Sequence, residues 1–104
     1  MKLKDFRSYQ LSVEFYRRCE RVRLPGFLRN QLLRAASSIS LNLSEGNSRP
    51  MGRDRTRYYR TALGSLRECQ AVLDLNAEAG SLLSGIADEL GGSLYRLCYA
   101  KLKP

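Results

Sequence analysis

Residues 27–47 read FLRNQLLRAASSISLNLSEGN, with apolar side chains at Leu28, Leu32, Ala35, Ala36, Ile39 and Leu43. Their spacing follows the turn of an α-helix, about 3.6 residues, and not the alternation of a strand. Ala35 and Ala36 lie in the stripe and let a neighbouring helix approach closely. Gly46, followed by Asn47-Ser48-Arg49-Pro50-Met51-Gly52, ends the helix at about Glu45 to Asn47. The stretch reads as one amphipathic helix with a face to bury, and the flanking sequence must supply its cover.

Three further helical segments do so. On the N-terminal side, residues from about Asp5 to Val22 place Tyr9, Leu11, Val13, Phe15, Tyr16, Cys19 and Val22 on one wide arc. Arg7, Gln10, Glu14, Arg17, Arg18 and Arg21 fill the other arc, and Pro25-Gly26 separates this helix from the next. On the C-terminal side, a helix from about Asp54, read as its N-cap, to Ala79 turns Tyr58, Tyr59, Ala62, Leu63, Leu66, Cys69, Leu73 and Ala77 inward. Gly64 in its interior costs about 1 kcal/mol against Ala, and close packing is the expected reason for it. Gly80-Ser81 is read as the following break, with Ser81 as cap. A fourth helix carries Leu83, Ile86, Ala87, Leu90, Leu94, Leu97 and Cys98 inward, and a kink is expected at Gly91-Gly92. No strand alternation bounded by hairpin turns occurs. The expectation is an all-α protein, an antiparallel up-down-up-down four-helix bundle in one domain over residues 1–104.

Composition narrows the function. The chain of 104 residues has 18 Lys+Arg against 10 Asp+Glu, a net charge of +8, and no His. Without His there is no Ser/His/Asp or Cys/His triad, no HExxH metal site and no imidazole base, so a non-enzymatic protein without metal or cofactor is expected. Cys19, Cys69 and Cys98 are odd in number and form no CxxC pair, which fits buried thiols in a reducing cytoplasm. The opening MKLKDFRSYQ lacks the apolar core of a secretory leader. No apolar run approaches the ~20 residues of a membrane span, so no membrane partner is expected.

The charge is uneven. Residues 1–60 hold 14 basic and 5 acidic side chains, and residues 61–104 hold 4 and 5. The basic residues outside the apolar arcs cluster as Arg17, Arg18 and Arg21 on the first helix, and as Arg53, Arg55, Arg57 and Arg60 at the start of the third. Such clusters suit phosphates, and they also suit a solvated helix surface. Tyr58-Tyr59 stands among the second cluster, but its phase turns both rings inward, toward packing and away from base stacking. The second helix carries a polar row, Ser38, Asn42 and Glu45, and the third carries a counterpart, Ser65 and Glu68, one turn apart beside Gly64. Glu45 and Glu68 could form an acid/base couple, but a network fixing helix register or a subunit contact is the better reading without His. Glu45, near a helix C-terminus, calls for a cation such as Arg49, Arg34 or an arginine of a neighbouring chain.

Ser38-Ile39-Ser40-Leu41-Asn42-Leu43-Ser44-Glu45-Gly46 resembles the S-I-x-x-N-[IL]-[AS]-E-G signature of the 23S rRNA intervening-sequence proteins, also known simply as four-helix bundle proteins. Tyr58-Tyr59-Arg60-Thr61-Ala62-Leu63-Gly64-Ser65-Leu66-Arg67-Glu68 is similar to their second block, an aromatic pair before A-x-G-S-x-x-E. Pro25-Gly26-Phe27 and Gln31-Leu32-Leu33-Arg34-Ala35-Ala36 match the passage between their first two helices. The resemblance implies a ring-like homo-oligomer, commonly a pentamer. It makes Asn42, Glu45, Gly46, Gly64, Ser65 and Glu68 structural rather than catalytic positions. The family is also similar to the accessory variability determinant of diversity-generating retroelements, a basic barrel-shaped pentamer that binds a reverse transcriptase and nucleic acid. The expected partners are therefore other copies of the chain together with RNA, DNA or a nucleoprotein. The alternative is a protein-binding adaptor, for example for a reverse transcriptase.

Overall fold

The computed structural model describes residues 1–99 and contains a short 3-10 turn at Leu3–Asp5 and four helices. These are α1 (Arg7–Arg21), α2 (Gly26–Asn47), α3 (Arg53–Asp74) and α4 (Ala77–Tyr99). Sequence neighbours pack antiparallel and α4 closes the square against α1, so α1 and α3 occupy diagonal corners of a body 41 × 25 × 21 Å. One end of the body, called lower here, gathers the starts of α1 and α3 and the ends of α2 and α4. The four-helix bundle expected from the apolar spacing is the fold.

The core is made of the phased residues. Phe15, Leu32, Ile39, Leu43, Leu66, Leu90 and Leu94 are fully buried, and Cys19, Cys69 and Cys98 are free, buried thiols among them. Serine pairs join three of the four helix contacts. Ser8 meets Ser93 across α1 and α4, the hydroxyls of Ser12 and Ser40 lie 2.8 Å apart across α1 and α2, and those of Ser38 and Ser65 lie 3.0 Å apart across α2 and α3. A serine is small enough to let backbones approach, and its buried hydroxyl requires a partner, so each pair also fixes register. These serines displace the tyrosines from the centre of α1. Tyr9, Val13 and Tyr16 are only half-buried, while Ser8 and Ser12 take the inner positions.

Several boundaries differ from the sequence expectation. α3 stops at Asp74, not Ala79, and the turn is Leu75-Asn76, not Gly80-Ser81. Asn76 Oδ1 accepts the Ala79 N–H at 3.0 Å, the bond of an N-cap, so the cap of α4 is Asn76 and not Ser81. Gly80 serves packing: a Cβ there would lie 2.9 Å from the Leu73 carbonyl oxygen of α3. Asp54 is not the cap of α3. Gly52 precedes that helix with φ 136°, a left-handed conformation that favours glycine. Asp54 stands in the first turn, where the helix dipole favours a carboxylate.

Gly91-Gly92 interrupts nothing, because α4 runs through both and Gly91 packs on Leu66. Gly64 is not closely packed within the chain: it is exposed, with open space where a Cβ would stand. Among the described residues no helix is long and apolar enough to cross a membrane.

Candidate nucleic-acid interface

The fold separates the two arginine clusters. Arg17, Arg18 and Arg21 are exposed on the upper half of α1, and Arg53, Arg55, Arg57 and Arg60 begin α3 at the lower end. α1 and α3 run the same way on diagonal corners, so Arg21 and Arg53 are separated along the bundle by the length of α1, roughly 20 Å at 1.5 Å per residue. One chain cannot lay both clusters along a single short contact.

At the lower end the α2–α3 loop gives each arginine a different task. Arg55 is turned onto the end of α2. Its Nε donates to the carbonyls of Gly46 at 3.1 Å and Arg49 at 2.9 Å, and its Nη2 donates to Asn47 at 3.1 Å. These bonds supply donors to the Asn47 and Arg49 carbonyls and a second one to Gly46, whose carbonyl also accepts the Arg49 N–H, so Arg55 caps the end of α2 and its loop and is withdrawn from the surface set. Arg49 answers the expectation for Glu45: its Nε and Nη2 donate to Glu45 Oε2 at 3.0 and 2.8 Å. The hydrogen bond to Glu45 and then the nearby Tyr58 raise the Arg49 pKa further. Arg57 Nη2 donates to Asp54 Oδ1 at 2.8 Å, and its guanidinium lies 4.4 Å from the centre of the Tyr58 ring. Tyr58 is therefore half-buried between Arg49 and Arg57, and of the tyrosine pair only Tyr59 is in the core.

Arg53, Arg57 and Arg60 border one groove, with Thr56, Thr61 and Cys98, between the start of α3 and the end of α4; its volume is about 780 Å³. Arg60 lies 5.3 Å from the centre of the Tyr99 ring, and Tyr99 lies 4.7 Å from Tyr95. Arg53 and Arg60 form no ion pair among the described residues. Burial pushes the Cys98 thiol up, partly opposed by Arg60, so the thiol is not an activated nucleophile. Tyr95 and Tyr99 are far in sequence from the arginine clusters, so sequence order does not join them to the site. Their i, i+4 spacing around Arg96 was the available signal.

At the upper end Arg18 is ion-paired with Glu14. Arg17 borders a smaller groove with Lys4, Tyr9, Glu14 and the apolar Leu3 and Val13. Arg21 is exposed.

The polar row on α2 and α3 is a hydrogen-bonded network in part. Asn42 Nδ2 donates to the Ser38 carbonyl at 2.8 Å and to Ser38 Oγ at 3.1 Å, and Ser38 continues to Ser65. Glu45 and Glu68 stand outside this network and are exposed. No group of three or more His, Cys, Asp or Glu residues able to hold a metal occurs among the described residues.

The fold and the site together define a small all-α protein whose lower end carries an arginine-lined groove, two of whose arginines contact tyrosine rings. The family described as 23S rRNA-intervening sequence protein matches residues 4–98. The chain belongs to that family. Among curated proteins none matches it.

Proposed function

We propose that this protein is a non-catalytic, self-associating cytoplasmic bundle whose arginines bind RNA or a nucleoprotein. The observation that carries the reading is the convergence of Arg53, Arg57 and Arg60 on one groove. Guanidinium groups bind phosphate oxygens in bidentate fashion, and two of these three lie over tyrosine rings that limit their side-chain freedom. The family's description refers to an intervening sequence of 23S rRNA, which supports RNA over other polyanions.

Self-association would multiply the contact, since copies of net charge +8 that are held together engage phosphates jointly. The surface of α2 supports such assembly. Residues 35–44 contain no charged side chain, yet Leu41 is 68% exposed. Beside Leu41 runs an apolar groove of about 200 Å³ formed by Val13, Tyr16, Ser37 and Ser40. A charge-free face on a strongly basic chain is where two copies meet with least repulsion. Native mass spectrometry reads the assembly, five copies by the family resemblance; Leu41→Lys lowers the copy number, and a monomeric wild type contradicts the self-association.

RNA affinity measured against salt tests the binding. Replacing Arg53, Arg57 and Arg60 by Ala weakens binding and flattens the salt slope. Binding without a salt slope, or unchanged by the three substitutions, contradicts the reading.

The apolar groove beside Leu41 also favours a second reading, an adaptor for a folded partner such as a reverse transcriptase. Partner capture that survives nuclease treatment and is lost in Leu41→Lys supports it.

A further inference from the structure

We infer that the groove between α3 and α4 takes an unpaired nucleic-acid strand, with Tyr95 as the platform on which a base stacks. This rests on the polyanion reading above and adds a form of substrate and a specificity residue to it. Four features of the lower end point the same way. Tyr95 is 56% exposed, a large aromatic ring left in water on a helix that has a core to fill. It is not an isolated surface ring, for it continues a series in which Arg60 covers Tyr99 and Tyr99 touches Tyr95. On the same helix Arg57 lies over Tyr58, so two of the three arginines that line the groove sit against a ring. The volume of about 780 Å³ falls in the range that admits groups of nucleotide size.

These parts match the chemistry of a single strand. Phosphates on one side of the backbone meet the guanidinium groups of Arg53, Arg57 and Arg60. A base on the other side needs a flat apolar surface, which the exposed ring of Tyr95 offers. The Thr56 and Thr61 hydroxyls donate to the carbonyls of Gly52 and Arg57, so among the described residues the side-chain donors left to the groove are its arginines. Recognition is then tolerant of sequence but not of pairing, because a duplex hides the faces of its bases. The groove beside Arg17 lacks this combination: it includes Glu14, and its one ring, Tyr9, is half-buried.

The test uses the full chain and two fluorescent probes, a short single-stranded RNA and the same strand annealed to its complement. Anisotropy titrations compare the wild type with Tyr95→Ala and Tyr95→Phe. The wild type is expected to bind the single strand more tightly than the duplex. Tyr95→Ala loses about tenfold for the single strand and leaves duplex affinity and the salt slope unchanged, while Tyr95→Phe keeps wild-type affinity. Tyr95 is exposed, so the fold tolerates both changes, and matching circular-dichroism melts verify it. Equal affinity for the two probes, or single-strand binding unchanged in Tyr95→Ala, overturns the inference while salt-dependent binding keeps the polyanion reading. No salt-dependent binding to either probe removes both.

Discussion

At Gly46 the chain has no room for a side chain, since a Cβ would stand 2.7 Å from a carbon of the Tyr59 ring. The ring is in turn tilted against Phe6, with centroids 5.9 Å apart, so it has little freedom to retreat. Gly46→Ala therefore forces α2 away from α3 and is expected to cost about 1–3 kcal/mol, read as a lower denaturant midpoint with an unchanged slope. Wild-type stability in that variant would show that Tyr59 swings aside. The sequence already marked Gly46 as a helix stop, but its phase alone could not reveal the ring across from it. Arg55 was less legible still. It stands among arginines that read alike, and only its half-buried place beside the end of α2 assigns it to capping. Tyr58 failed for a related reason: its phase borders the apolar arc, and two flanking guanidiniums cover it instead of a neighbouring helix.

Among the elements, the four apolar stripes were legible because each follows one period for several turns. The α3–α4 turn was not. Gly80-Ser81 has the composition of a break, yet Gly80 is required by the approach of α4 to the Leu73 carbonyl, while Asn76 gives the true start. Two helical glycines thus separate by cause, and substitution distinguishes them. Gly64 faces open space, so Gly64→Ala in the isolated chain removes a poor helix former and raises stability by up to about 1 kcal/mol. Gly80→Ala pushes a methyl group against backbone and lowers stability by about 1–3 kcal/mol. Thermal melts of the two variants at a dilution that keeps copies apart are expected to shift in opposite directions; shifts of the same sign contradict the packing described here.

For the whole molecule, the buried thiols make stability depend on alkaline pH. Burial pushes Cys19 from 9.0 up to about 12. It pushes Cys69 higher still, reinforced by Cys19 and Glu68. Above about pH 9 the unfolded chain gives up thiol protons that the folded chain retains, so the unfolded state is favoured progressively as pH rises toward about 12. Below that window the thiols contribute no pH dependence. Melting temperature is expected to fall between about pH 8 and pH 10.5, and Cys19→Ala with Cys69→Ala makes the fall shallower. An equal fall with and without the two thiols would assign the loss to other groups.

The arginines set the other property of the molecule as a whole. Their clustering was readable from residue order, but their division between opposite ends required the antiparallel path of the chain. So did the meeting of Arg60 with Tyr99, residues far apart in sequence. The lower end is the proposed seat of the nucleic acid, and ultraviolet cross-linking of bound RNA followed by peptide mass mapping tests that position. Cross-links are expected within 53–60 and at Tyr95 or Tyr99, and are lost when Arg53, Arg57 and Arg60 are replaced by Ala. Cross-links confined to α1 around Arg17 and Arg21, or to the uncharged face of α2, would contradict it.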